Sequence, residues 1–374
     1  MSLERTPRRR KLFLVAGEAS GDLYGGQLAE ALLQLDPHLE IRGWGGEAME
    51  ASGVKISTHY RDLAFMGFWE VLKNLKTIRR NLKRCTEEIL SFQPDAFVGI
   101  DFPGFNLRVA ANVGKAGVFT HHYISPSIWA WNARRIHRIK RTVQRMHVTM
   151  PFELAPYEAA HMDVRFVGHP LISLLDQLPD QNLDVKTSLP ILALLPGSRT
   201  QELNHMLPLL VQTAQLLPQF QPVIAGAPGQ PTSAYHEATA LGIPVVFNQT
   251  RLLMKTAAVG LITSGTATLE ASLLGLPQII CYRTSHLTYA IAKRLAQVQW
   301  IGLPNIILNE SSVPERIQGA CSVKTLSQDV ELLHDGTDWT ALGQKQKELA
   351  TSLRHILGSE AAAANTAASI METL

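Results

Sequence analysis

Twice along this chain, short apolar and β-branched runs alternate with longer stretches of helical periodicity. In the first half the runs are Lys11–Ala16 (KLFLVA), Leu39–Ile41, Asp95–Asp101, Val118–Ile124 and Val164–Val167. In the second they are Ile191–Leu195, Pro222–Ala225, Val245–Phe247, Val259–Thr263 and Gln278–Cys281. Such alternation predicts an α/β chain with a parallel, doubly wound sheet in each half. A length of 374 residues suffices for two buried cores. The polar, proline-punctuated stretch up to Pro190 (LPDQNLDVKTSLP) reads as a linker. The expected division is therefore a first domain over 1–170, a linker over 171–190 and a second domain over 191–340. The helical tail, 341–374, is expected to return to an N-terminal domain.

In doubly wound sheets, ligands collect at the carboxyl ends of the strands. The first such loop is Gly17-Glu18-Ala19-Ser20-Gly21-Asp22, which is not GxGxxG, and no GxxxxGK[ST] occurs. Gly43–Ala48 (GWGGEA) spells GxGxxA, but it falls on the second strand and reads as coincidence. The second half carries better candidates. Gly260–Pro277 (GLITSGTATLEASLLGLP) runs from a buried strand through a small-residue turn into a helix. Its first-turn N–H groups lack partners and meet the positive end of the helix dipole, which suits an anion. Glu270, one turn in, could accept hydrogen bonds from two ribose hydroxyls. Leu195-Pro196-Gly197-Ser198-Arg199 places an arginine with Ser and Gly N–H groups at another strand end. In one domain the two turns would face one crevice and could neutralise a diphosphate without a metal.

Asp101 stands at a strand's carboxyl end in the first half, an address suited to a general base. The structural alternative is a carboxylate capping the helix that follows, and Glu18 and Asp22 raise the same question; Asp22 could N-cap the first helix. Net charge is +3, and no aromatic stacking motif interleaves the basic residues, which argues against nucleic acid. No run approaches eighteen apolar residues, and Leu12–Ala16 is too short a core for a secretory signal. A cytoplasmic protein is expected. Cys85, Cys281 and Cys321 are widely spaced, and His121-His122 sits on or beside a strand without metal-ligand spacing. Two basic stretches could meet an anionic lipid surface. Met66–Arg84 joins Phe68 and Trp69 to six Lys/Arg, and Asn132–Arg145 holds six more, with Arg134, Arg138, Arg141 and Arg145 along one face if helical. An apolar stripe turned to the core behind a solvated basic face is the competing reading for both.

Eleven motifs in order give the chain a family likeness. They are VAGEASGD (Val15–Asp22), GWGG (Gly43–Gly46), MGFWEVL (Met66–Leu72), GIDFPGFNLR (Gly99–Arg108), YISPSIWAW (Tyr123–Trp131) and MPFE (Met150–Glu153), followed by VGHPL (Val167–Leu171), LLPGSR (Leu194–Arg199), SGTATLE (Ser264–Glu270), Tyr282-Arg283 and LPNII (Leu303–Ile307). Together they resemble the lipid-A-disaccharide synthases, glycosyltransferases of the GT-B fold. That resemblance implies two Rossmann-like domains facing a cleft. It also implies condensation of UDP-2,3-diacylglucosamine with 2,3-diacylglucosamine 1-phosphate to a β-1,6 disaccharide 1-phosphate and UDP. The reaction would be inverting, need no metal or other cofactor, and take place on the anionic cytoplasmic face of the inner membrane.

Carried onto this sequence, the resemblance makes Asp101 and Arg199 catalytic. Gly197, Ser198, Glu202, Ser264, Gly265, Thr266, Ala267, Glu270 and Asn305 join Arg199 on the donor side. Glu18, Ser20, Gly21 and Asp22 line the acceptor side, and Phe68 and Trp69 face the membrane. Many members carry a second aspartate, in PDFN, where this chain has Gly104; Asp101 then takes the role of base, with Glu18 or Asp22 in reserve. After LPNII many members read AGR, where Leu308-Asn309-Glu310 stands here, so a basic contact is sought elsewhere, for instance in Arg283. A UDP-N-acetylglucosamine 2-epimerase or another GT-B transferase would share the layout, but VAGEASGD and SPSIWAW argue against both. A non-catalytic nucleotide-sugar or lipid-binding protein is the rival of another class. A homodimer is left open.

Overall fold

The computed structural model describes residues 9–63, 75–131, 133–181, 183–358 and 361–374. Met1–Pro170 with Leu357–Leu374 forms one compact unit, and Leu171–Ile356 forms the other.

The first unit is built on β1 (Lys11–Ala16), β2 (Glu40–Gly45), β3 (Lys55–His59), β4 (Ala96–Ile100), β5 (Phe119–Tyr123), β6 (Arg145–Val148) and β7 (Asp163–Phe166). Their order is β3-β2-β1-β4-β5-β6-β7, every pair parallel. Around the sheet lie α1 (Ala19–Leu35), α2 (Glu47–Ala51), α3 (Leu75–Phe92) and α4 (Pro103–Gly114). The second unit carries β8 (Ile191–Leu195), β9 (Gln221–Gly226), β10 (Val245–Phe247), β11 (Val259–Thr263), β12 (Gln278–Tyr282) and β13 (Glu315–Ile317), in the order β10-β9-β8-β11-β12-β13, again parallel. Its helices include α5 (Thr200–Gln215), α6 (Thr250–Thr256), α7 (Thr266–Leu273) and α8 (Leu303–Leu308). The last helix, α9 (Ala362–Met371), belongs to the first unit. The two doubly wound sheets are therefore as the alternation predicts. Each reverses strand order once, between β1 and β4 and between β8 and β11, the place where doubly wound sheets as a class bind ligands.

Both sheets are covered on two faces. Phe13, Val15 and Phe97 meet Cys85 and Ile89 of α3 and Val109 and Val113 of α4. In the second unit, Leu192, Leu194 and Leu261 pack on Leu203, Met206 and Leu210 of α5, while Ala193, Leu195 and Ile262 pack on Leu253 and Met254 of α6. Truncating one of these buried leucines to alanine costs roughly 2–5 kcal/mol. Gly43 is a packing glycine, since an added Cβ would lie 2.2 Å from the Leu14 carbonyl oxygen. The GWGG motif thus serves the β1–β2 contact.

Three strands, β3, β6 and β13, lie outside the predicted set. The one over Arg145–Val148 corrects the basic-face reading of 132–145. Among the described residues there only Ile136–Lys140 is α-helical, and Arg145 opens β6, buried. Its guanidinium pairs with Asp163 (2.7 Å) and Glu372 (2.8 Å) and donates to the Ser369 carbonyl (2.7 Å). With the His121 Nε2–Thr373 Oγ1 bond (3.0 Å), these contacts fasten α9 and the turn after it to the sheet. In α3 the apolar side enters the core, and Lys76, Arg79, Arg80, Lys83 and Arg84 are exposed. Phe68 and Trp69 lie outside the described residues.

Candidate active site

In the second unit the register sets Leu195 of β8 beside Ile262 of β11, so the turns that follow these strands leave side by side. They enclose a cavity of about 250 Å³ lined by Gly197, Ser198, Glu202, Ser264, Gly265, Thr266 and Ala267, with Leu195, Ala225, Ala227, Pro228, Thr250 and Thr263 completing it. The sequence reading pairs these two turns, and the fold brings them together. Thr266 and Ala267 open α7, where N–H groups have no i−4 carbonyl within the helix. Gly265 lines the cavity, and nothing lies within 4 Å of where its Cβ would be. Ser264 is committed to structure: its N–H donates to the Cys281 carbonyl (3.0 Å) and its hydroxyl to that of Ile301 (2.8 Å).

The Pro196–Arg199 turn is organised around a carboxylate of its own. Glu202 Oε2 accepts from the N–H groups of Ser198 (3.1 Å) and Arg199 (3.3 Å), and Oε1 lies 3.3 Å from Arg199 Nη1. Gly197 has φ +101°, and a Cβ there would meet Glu202 Oε2 at 2.6 Å, so both its conformation and its missing side chain are needed. The expectation of ligand-facing N–H groups on Ser198 is thereby revised, because Glu202 holds that group as a capping box holds a helix start. What this turn offers an anion is the Arg199 guanidinium, whose side chain is 74% exposed.

Three further residues considered for the donor side have structural partners. Asn305 is fully buried, giving Nδ2–H bonds to the Val313 carbonyl (2.8 Å) and Glu315 Oε1 (2.9 Å) while Oδ1 accepts from the N–H groups of Ser312 and Val313. Glu315 in turn accepts from the N–H groups of Ile301 and Gly302. Asn305 therefore shapes the segment on which Ser264 rests and is not among the residues lining this cavity. Arg283 donates to the Gln318 carbonyl (3.3 Å). Glu270, one turn into α7, is paired with Arg251 Nε on α6 (2.9 Å).

In the first unit, Ala16 and Ile100 are register partners, so Gly17 and Asp101 emerge together where strand order reverses. Asp101 and Phe102 both take left-handed backbone, φ +46° and +47°, at a cost of about 1 kcal/mol or more each. Buried Asn106 pins this turn, its Nδ2 lying 3.1, 3.2 and 2.8 Å from the carbonyl oxygens of Val15, Ile100 and Asp101. Burial raises the Asp101 carboxyl above its ordinary range, against the Phe102 N–H bond that lowers it. A raised carboxylate is the better base.

Of the acceptor-side residues, Glu18 occupies the N-cap position of α1, Ser20 is exposed and Gly21 is buried. Asp22 is not a cap for α1 but lies within it. It is buried, and it accepts from the N–H groups of Gly46 (2.6 Å), Ala48 (3.0 Å) and Met49 (3.2 Å), capping α2 instead. Nothing in its local sequence announces a partner 24 residues on. Position 104 is exposed, and nothing lies within 4 Å of where its Cβ would be. Glu153 joins two motifs: it is buried, accepts from Trp129 Nε1 (3.1 Å) and the N–H groups of Thr149 and Met150, and burial pushes its carboxyl up to about 7.

The family profile described as lipid-A-disaccharide synthetase matches residues 12–370. The chain belongs to this family. Among its curated relatives, lipid-A-disaccharide synthase of Chromobacterium violaceum is 36% identical over 372 residues, 95% of this chain and 96% of that one. The Neisseria meningitidis serogroup B enzyme is 39% identical over 326 residues, covering 83% and 85%. Lipid-A-disaccharide synthases are glycosyltransferases, and this chain is an enzyme of that kind. The fold extends further than the family. The glycotransferase of kitacinnamycin superposes with TM-score 0.63 at 14% identity, covering 98% of this chain and 100% of that one. UDP-GlcNAc 2-epimerase from Neisseria meningitidis, bound to UDP-GlcNAc, gives 0.62 at 12% identity, covering 97% and 100%. The architecture is that of GT-B proteins. Among the described residues of this synthase-family chain, no helix is long and apolar enough to cross a membrane.

Proposed function

We propose that the chain condenses UDP-2,3-diacylglucosamine with 2,3-diacylglucosamine 1-phosphate, forming the β-1,6 disaccharide 1-phosphate and UDP with inversion. The observation that carries this reading is the shared cavity of the Pro196–Arg199 and Ser264–Ala267 turns at the strand-order reversal of the second unit. In the reading, the diphosphate sits on the N-terminus of α7, Arg199 adds a guanidinium, and Glu270 takes the ribose hydroxyls. As the anomeric bond to UDP breaks, negative charge grows on the diphosphate, and fixed dipoles and an arginine stabilise that charge without reorganising. Asp101 removes the proton from the acceptor's 6-hydroxyl as that oxygen attacks the anomeric carbon through an oxocarbenium-like transition state. No step in this scheme calls for a metal. Glu18, Ser20 and Gly21 line the acceptor side. The exposed basic face of α3 holds the enzyme to the anionic cytoplasmic face of the inner membrane.

Incubating the purified protein with both acylated sugars, and following UDP and the disaccharide phosphate by mass spectrometry, tests the reaction; absence of both products would refute it. Arg199→Ala is expected to weaken UDP binding about tenfold or more, given roughly 1.5–3 kcal/mol for a charge-assisted contact. Calorimetry showing unchanged UDP affinity would remove Arg199 from the donor site.

A further inference from the structure

Arg251 belongs to none of the motifs in the sequence. It follows Thr250, which lines the cavity, on α6, a helix that packs against α7. Its Nε donates to Glu270 Oε2 at 2.9 Å, with the two side chains only 27% and 17% exposed. Glu270 stands one helical turn past Thr266 and Ala267, which line the same cavity. Resting on the reading of Glu270 as the ribose acceptor, we infer that Arg251 is the positioning residue that makes Glu270 able to recognise the ribose.

Two physical difficulties are resolved by this pairing. A glutamate side chain turns about three torsions, and a diol is recognised only if both carboxylate oxygens stay in place, so fixing Oε2 to a guanidinium on a neighbouring helix holds Oε1 for the ligand. A carboxylate close to a diphosphate also repels it. The charge of Arg251 cancels that repulsion, letting an acidic group stand within one turn of an anion-binding helix N-terminus. A tie between α6 and α7 with no ligand role would do neither, and the two roles differ in what they predict for ribose discrimination.

The test compares affinities for UDP and 2′,3′-dideoxyuridine diphosphate by calorimetry. The native enzyme is expected to prefer UDP about tenfold or more, since the diol bonds to a charged acceptor. Glu270→Gln should lose most of that preference. Arg251→Met should lose it equally and, with the Glu270 charge no longer cancelled, bind the dideoxy ligand more weakly, whereas the double variant Arg251→Met/Glu270→Gln should bind the dideoxy ligand as the native protein does, which also shows that its cavity is intact. If Glu270→Gln loses the preference and Arg251→Met keeps it, the positioning role is overturned. If Glu270→Gln keeps it, or the native enzyme shows none, the ribose reading itself fails and this inference falls with it. Should Arg251→Met not fold, Arg251→Lys decides. It keeps the charge but lacks the planar Nε contact, and a native-size preference there overturns the proposal, whereas a preference cut to a third or less supports it.

Discussion

Asp101→Asn is expected to lower turnover about 10²–10⁴-fold, the range for losing a positioned general base, with UDP affinity unchanged within about twofold. The expectation rests on where the fold puts this carboxylate. It follows β4 at the strand-order reversal, on a left-handed turn that Asn106 pins through three backbone carbonyls. Burial raises its pKa, so the acid limb of the kcat/KM profile should lie above the usual carboxylate range, activity rising with pH as the proton leaves. In the asparagine variant that limb should vanish. Near-native turnover in a purified assay would remove Asp101 from the role. Gly104→Asp offers a companion test. The site is exposed with free space around it, at the second residue of α4, where an acid favours the helix dipole. The added carboxylate should fold without penalty and recover part of the turnover lost in Asp101→Asn.

The second large effect concerns pH and stability. His122 and His147 are buried and pushed down to about 3, and His169 to about 4, each by loss of hydration. Their folded pKa values lie below the unfolded 6.5, so the folded state binds fewer protons and stability is lost as pH falls below 6.5. At pH 5 each removes about 2 kcal/mol, about 6 together. Glu153 acts in the opposite sense. Raised from 4.5 to about 7, its charged form is disfavoured in the fold, and acidification from pH 7 to 5 relieves about 2 kcal/mol. Taken alone, these four groups should make the first unit, which holds them all, less stable at pH 5 than at pH 7 by roughly 3–4 kcal/mol, and His121, which burial also holds well below its ordinary value, adds in the same direction. Hydrogen exchange of the β5 and β6 amides under urea would measure it, and equal stability at the two pH values would contradict the argument. In Glu153→Gln the compensation is absent, so the drop should steepen to about 6 kcal/mol.

What could be read from the sequence follows what is local. β1, β8 and β11 match the predicted runs residue for residue, because an apolar segment buried on both faces announces itself without reference to its neighbours, and the half-buried edge strand β10 matches through its β-branched VVF run. β3 and β13 escaped notice as short edge strands with polar positions, KISTH and ERI. β6 is not legible because it opens with an arginine and includes a histidine, RMHV, and two of the three residues that accept from its Arg145 come more than two hundred residues later. The paired anion turns were legible, as was the address of Asp101. Which polar residues face a ligand was not, because a side chain's type does not disclose its partner. Asp22, Glu202 and Asn305 each spend their acceptors on nearby backbone N–H groups. Conversely, Ala225, Ala227 and Thr250 shape the cavity without any anion-binding signature, and Asn106 and Arg251 are known only through what they hold.

The docking of α9 bears on how this protein is made. Its first unit is closed by Ser369, Glu372 and Thr373, which the ribosome adds only after all of Leu171–Ile356 has been translated. Until then the nascent first unit carries a sheet face without its last helix, and the buried cation of Arg145 lacks two of its acceptors. The second unit has its whole sequence available earlier and can mature first, so that synthesis from the N-terminus leaves the N-terminal half to finish last.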